Sequence, residues 1–108
     1  MAINSSIIAG SVTATFGGAT TPKIYNVAMA TAGTEYSQAL TANVVKLMLR
    51  IRGPGKLQFS FVSGESGTKY ITVWPGSNWV ADLIKVPSLT VYFQSDLSSQ
   101  TLEILEWT

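Results

Sequence analysis

The sequence predicts an all-β protein: a single-domain antiparallel β-sandwich of jelly-roll type over residues 23–108, preceded by an extended N-terminal arm over residues 1–22. Three observations predict it. From Ile24 onward apolar residues recur with a period of two, the side-chain period of a strand with one face buried. Gly, Pro, Ser and Asn cluster between these runs at intervals of about 8–12 residues, the spacing of short strands in a sandwich or barrel. No segment carries the period of an amphipathic helix, and 108 residues have room for one domain around one core.

The arm comes first. Residues 1–22 hold no charged side chain and mix β-branched residues with Gly and Thr as far as Gly17-Gly18-Ala19-Thr20-Thr21-Pro22. A segment of this composition cannot bury a core of its own and becomes ordered by lying against something else, for which a neighbouring subunit is the expected surface. Ile3, Ile7, Ile8, Val12 and Phe16 are its candidate contacts. The opening residues lack the basic region of a signal peptide, and no stretch approaches the roughly 18 consecutive apolar residues of a membrane span, so neither secretion nor a membrane partner is expected.

Strands are expected over 24–30 and 35–40. The clearest follows, with Val45, Leu47, Leu49 and Ile51 on one face and Lys46, Met48, Arg50 and Arg52 on the other. Gly53-Pro54-Gly55 reads as a type II turn, with φ fixed at the Pro and a permissive Gly after it, and Leu57, Phe59 and Phe61 as the hairpin partner beyond it. Gly64-Glu65-Ser66-Gly67 marks another turn. Further strands are expected over 69–74, 79–84 and, after Pro87-Ser88, 89–94, with 102–107 closing a fold of about eight strands.

Composition excludes several functions. Charged residues make up only 12% of the chain, against roughly 25% in an average soluble domain, so part of the surface is expected to be hidden against other subunits. A net charge of +1 gives no electrostatic reason for a nucleic-acid partner. His and Cys are both absent, which removes the commonest general base, the usual partner of a Ser nucleophile and the most frequent metal ligands, so no catalytic residue, cofactor or metal is expected. Of the six carboxylates, Glu103 and Glu106 are an odd number of positions apart on one strand and should face opposite ways. Asp82 and Glu35 could form a glycosidase-like pair only through an arrangement that nothing in the sequence selects.

Two Gly-rich stretches invite comparison with phosphate loops. Gly64-Glu65-Ser66-Gly67-Thr68-Lys69 has the composition but the wrong order, and Gly53-Pro54-Gly55-Lys56 is followed by Leu57 and loses a donor at Pro54, so both read as hairpin turns. Asp96 and Ser98 with loop carbonyls could meet a calcium ion, although no alternating acidic run supports one. Lys46, Arg50 and Arg52 share a strand face that could grip an acidic partner surface or a glycan, against the simpler reading of a solvated face. Among Trp74, Trp79 and Trp107, the last two stand where strands meet loops. They are the candidate partner contacts, by protein or by stacking on a sugar ring, where the simpler reading is core.

Several stretches resemble small structural proteins encoded in tailed-phage genomes. They are Thr21-Pro22-Lys23-Ile24-Tyr25-Asn26-Val27, Gly33 to Leu40, Phe61 to Thr72, the Pro75-Gly76-Ser77 turn, Leu89 to Ser95 and the closing Glu103-Ile104-Leu105-Glu106-Trp107. The resemblance covers residues 21–108, and its motifs are strand-and-turn consensus rather than a reactive constellation. The chain departs from that pattern at Thr41, where such proteins have Pro, and at Ala81-Asp82, where they often carry an acidic pair. The resemblance implies a non-catalytic virion protein, made in the host cytoplasm and incorporated into the phage particle. A capsid decoration (cement) protein bound to the major capsid protein as a homo-oligomer is the first expectation. A neck, tail or fibre component, or a carbohydrate-binding module, is the alternative.

Overall fold

The computed structural model describes residues 21–108. The arm contacts Ile3, Ile7, Ile8, Val12 and Phe16 lie outside the described residues. Eight strands follow one another: β1 (Pro22–Met29), β2 (Tyr36–Ala39), β3 (Val44–Arg52), β4 (Leu57–Ser60), β5 (Ile71–Val73), β6 (Trp79–Val86), β7 (Thr90–Ser95) and β8 (Gln100–Trp107). They form two four-stranded sheets, ordered β1-β8-β3-β6 and β2-β7-β4-β5, with every pair antiparallel. Except at β4–β5 the chain changes sheet at each step, which is the winding of a jelly roll. The protein is therefore an all-β antiparallel sandwich.

The core lies between the sheets. Leu47, Leu49 and Ile51 of β3, Leu102 and Ile104 of β8 and Met29 of β1 meet Leu57, Phe59, Val73, Val91 and Phe93 from the second sheet. Burying one such side chain is worth about 1.5–3 kcal/mol, so this interdigitated layer holds the two sheets face to face. β8 shows strict alternation, its burial switching at every residue from Gln100 to Trp107. Glu106 accordingly points inward, where its Oε1 accepts hydrogen bonds from the Tyr25 hydroxyl (3.1 Å) and the Thr41 N–H (3.0 Å). A Pro at position 41 would have no N–H to give, so the departure at Thr41 supplies a buried carboxylate with a donor.

Four local expectations are corrected. β3 and β4 are not hairpin partners: β3 pairs with β8 and β6, and β4 with β7 and β5. The left-handed glycine at the junction is Gly53, at φ 125°, and Gly55 after the Pro is not one. Gly53-Pro54-Gly55 carries the chain from one sheet to the other over Gln100, whose Oε1 accepts the Gly55 N–H at 2.9 Å. A Cβ on Gly53 would overlap that amide, and one on Gly55 would lie 2.7 Å from Ser95 Oγ. The true hairpin is β4–β5, closed by a long loop through Gly64–Gly67, and β5 starts only at Ile71 because Thr68 and Lys69 N–H groups bond back to the Glu65 carbonyl.

At the start of β3 a bulge between Val44 and Lys46 buries Val44 in place of Val45. The first strand begins at Pro22. Pro22 already opposes Trp107, an allowed place for Pro because it is the first residue of an edge strand.

Candidate functional site: the outer face of the first sheet

Alternation along each strand decides which residues the first sheet turns away from the core, and register across the strands decides which of them become neighbours. Ile24 of β1 opposes Leu105 of β8, Leu105 opposes Met48 of β3, and Met48 opposes Val80 of β6. A continuous apolar row therefore crosses all four strands on the outside. Ile24 is 68% exposed and Val80 52%. Beside it runs the row Pro22, Trp107, Lys46 and Asp82, and between the two rows an apolar dimple of about 230 Å³ is bounded by Lys46, Met48, Val80, Leu105 and Trp107. Ile84, 96% exposed, stands two residues beyond Asp82 on the edge strand β6.

On the other side of the apolar row Asn26, Glu103 and Arg50 are aligned, followed by Ala28, Thr101 and Arg52. Glu103 stands between both guanidinium groups: Arg50 Nε donates to Oε1 at 2.5 Å and Arg52 Nε to Oε2 at 2.8 Å. The hydrogen bond from Arg50, and then that from Arg52, holds the Glu103 carboxyl below the usual carboxylate range. Arg52 also reaches Asn26 Oδ1 at 3.4 Å. At the opposite margin Lys46 Nζ and Asp82 Oδ1 are 3.2 Å apart. Each charge bordering the apolar row thus faces an opposite one. Pairs this exposed contribute little to stability but set which partners the face tolerates.

The second sheet's outer face is built differently. Among the described residues, Thr90, Tyr92 and Gln94 of β7, Gln58 of β4 and Thr72 of β5 are turned to that side while Ser60 of β4 is buried, and these strand positions carry no charge and form no aliphatic row, the Glu35 carboxylate meeting them only through Ser66. Gln94 Nε2 donates to Gln58 Oε1 at 3.1 Å, and Ser66 Oγ bridges to Gln94 Oε1 at 3.2 Å.

The sequence-predicted contacts separate on this geometry. Arg50, Arg52 and Trp107 come together on the outer face of the first sheet. Trp79 does not join them: its ring packs edge-on to Phe59, centroids 4.7 Å apart, and leans on the core from the inner side. Trp74 is the exposed indole, at 59%, with Lys56 Nζ 5.4 Å from its centroid at the margin of the second sheet. Glu103 and Glu106 face opposite ways as their spacing requires. Asp82 and Glu35 stand apart, one paired with Lys46 on β6 and one just before β2. Asp96 and Ser98 serve as loop staples, Asp96 accepting the Lys56 N–H at 2.8 Å and Ser98 the Ala32 N–H at 3.0 Å. Among the described residues no cluster of three His, Cys, Asp or Glu side chains is placed to hold a metal.

Two features had little signal in the sequence. Met48 and Leu105 are one residue each in alternating strands, and only the register places them side by side. The Gly64–Lys69 loop, whose residue order argued for a plain turn, holds an internal anion. Gly64 N–H (2.8 Å), Ser66 N–H (3.1 Å) and Ser66 Oγ (2.5 Å) all donate to the Glu35 carboxylate. The Ser66 hydroxyl first, and then the Gly64 N–H, keep that carboxyl below its ordinary range.

Comparison with protein-family models and with curated proteins returned no match. Among solved structures, the chain is similar to the solution NMR structure of a de novo designed double-stranded β-helix, with a TM-score of 0.51 and 12% identity over 82% of this chain and 100% of the design. At that identity the likeness concerns the fold alone, and it agrees with the jelly-roll winding.

Proposed function

We propose that the chain is a non-catalytic structural subunit of a tailed-phage virion, a capsid decoration protein that binds and stabilises the assembled head. The observation that carries this reading is the apolar row Ile24–Leu105–Met48–Val80, exposed on a sandwich whose core is already complete without it. An apolar row framed by paired charges suits burial against another protein chain of an assembly, a neighbouring copy included. The strand-and-turn resemblance over residues 21–108 supplies the virion context. A subunit that binds only the assembled lattice of major capsid protein stabilises that lattice by mass action and requires no chemistry.

Copy number in purified particles tests the assignment. A decoration protein approaches the abundance of the major capsid protein, and particles lacking it should rupture at lower temperature. A handful of copies per particle would instead place the chain in the neck, tail or fibre. That second reading is favoured by Trp74, whose exposed ring beside Lys56 is a surface on which a sugar can stack. Binding to a glycan array that is lost in Trp74→Ala would support it, or a carbohydrate-binding module, over the decoration role.

A further inference from the structure

The geometry points to the occupant of the apolar row: residues 8–16 of a neighbouring copy, laid as an added layer across the outer face of the first sheet. This deepens the assembly reading and rests on it. Read at the period of two of a strand, Ile8, Gly10, Val12, Ala14 and Phe16 of the arm would share one side and Ala9, Ser11, Thr13 and Thr15 the other. Such a segment has an apolar side that needs cover. The core of the described residues offers no place for it, since its layer is filled from Met29 to Ile104. The outer row does, and its bordering charges are already compensated by Glu103 and Asp82, so an uncharged occupant leaves none of them unpaired.

Direction and reach argue for a neighbour rather than the same copy. Thr21 and Thr108 exchange both backbone hydrogen bonds (3.3 and 3.0 Å), which continues the β1–β8 ladder beyond Pro22. At Thr21 the chain is therefore at the end of its own sheet, so the residues before it could cover that sheet's outer face only by folding back. The twenty residues before it span up to roughly 66 Å when extended, enough to reach an adjoining subunit. The bare face measures only about 20 Å by 20 Å from strand and residue spacings, less than a standard interface needs per partner, so two faces pressed together would make an undersized contact. An arm passed to the next copy enlarges it and is heterologous, the contact type that builds rings and lattices.

The chain has no Cys, so single thiols can be introduced cleanly into the full-length protein. Val12→Cys and Met48→Cys copies would be mixed under mild oxidation, with Gln58→Cys on the other sheet's face in place of Met48→Cys as control. The expected result is a Val12–Met48 cross-link between copies forming at least about tenfold faster than the control, because docking raises the local thiol concentration to the millimolar range. Equal rates overturn the contact. So does an intrachain bond in the dilute double variant, which would seat the arm on its own sheet, and so does a faster Met48–Met48 bond, which would pair the two faces directly. Sedimentation of the unmodified chain separates the two levels of failure. An oligomer without the cross-link defeats this contact alone, whereas a monomer at every concentration removes the self-assembly on which it depends.

Discussion

The two sheets share one core, yet their outer faces differ in kind. The first presents an aliphatic row, a half-buried indole and two sets of paired charges, and the second presents Thr, Gln and one Tyr, with Gln58 and Gln94 joined to each other and to Ser66 by side-chain hydrogen bonds. A polar uncharged face is satisfied by water and by its own network. An apolar row is satisfied only by cover. The contrast teaches that sparse surface charge alone does not locate an interface, since the second face has even less charge than the first. What distinguishes the first is apolar side chains brought into line by register.

The largest expected effect tests whether inside and outside are correctly assigned on a single strand of the second sheet. Phe59→Ala should cost about 3–5 kcal/mol by opening a cavity in the shared core, whereas its outward neighbour Gln58→Ala should stay within about 0.5 kcal/mol. Chemical denaturation of both variants reads the difference directly, and similar losses would show the alternation to be misassigned.

Next is the contrast between faces. Leu105→Glu should weaken the self-association proposed above at least about tenfold, or roughly 1.4 kcal/mol, while Gln58→Glu leaves it unchanged. Sedimentation equilibrium would measure both. Equal sensitivity of the two faces would break the comparison.

A smaller effect concerns the Glu35 staple beside the second sheet. Glu35→Gln removes charge-assisted hydrogen bonds at Gly64 and Ser66 and should cost on the order of 1 kcal/mol at neutral pH. Because folding lowers the Glu35 carboxyl below its ordinary range, its contribution is fully present above that range and is lost as pH falls through the lowered value. The gap in melting temperature between the parent chain and the variant should therefore close below about pH 4. A gap that is independent of pH would mean that the stabilisation does not come from the carboxylate.

The smallest effect belongs to the ion cluster of the first face. Glu103→Gln should change stability by less than about 1 kcal/mol, with the difference shrinking as salt is raised, because Arg50 and Arg52 are more than half exposed. Urea titrations at low and high salt would check it.

Much of the architecture was legible in advance. Period-two patterning located all eight strands to within a few residues, and the odd spacing of Glu103 and Glu106 put them on opposite faces. Of the site, Arg50 and Arg52 were legible as outward positions on a strand, and Trp107 only as an aromatic beside a loop. Trp79 was not, because its place next to a loop carried no information about Phe59, twenty residues earlier in sequence and on the other sheet.

Sequence by itself determined where the strands lie to within a few residues and, apart from the bulge at the start of β3, which residues share a side of each, because those properties depend on neighbours within a few positions. Tertiary structure alone decided the partners. Gly53-Pro54-Gly55 can close a hairpin or cross between sheets, and the Gln100 amide beneath it selects the crossing. Likewise residues 24, 105, 48 and 80 become one row only through three strand registers, each decided by packing across the whole core. Such long-range pairings are sums of many weak contacts, and no local stretch of chain contains them.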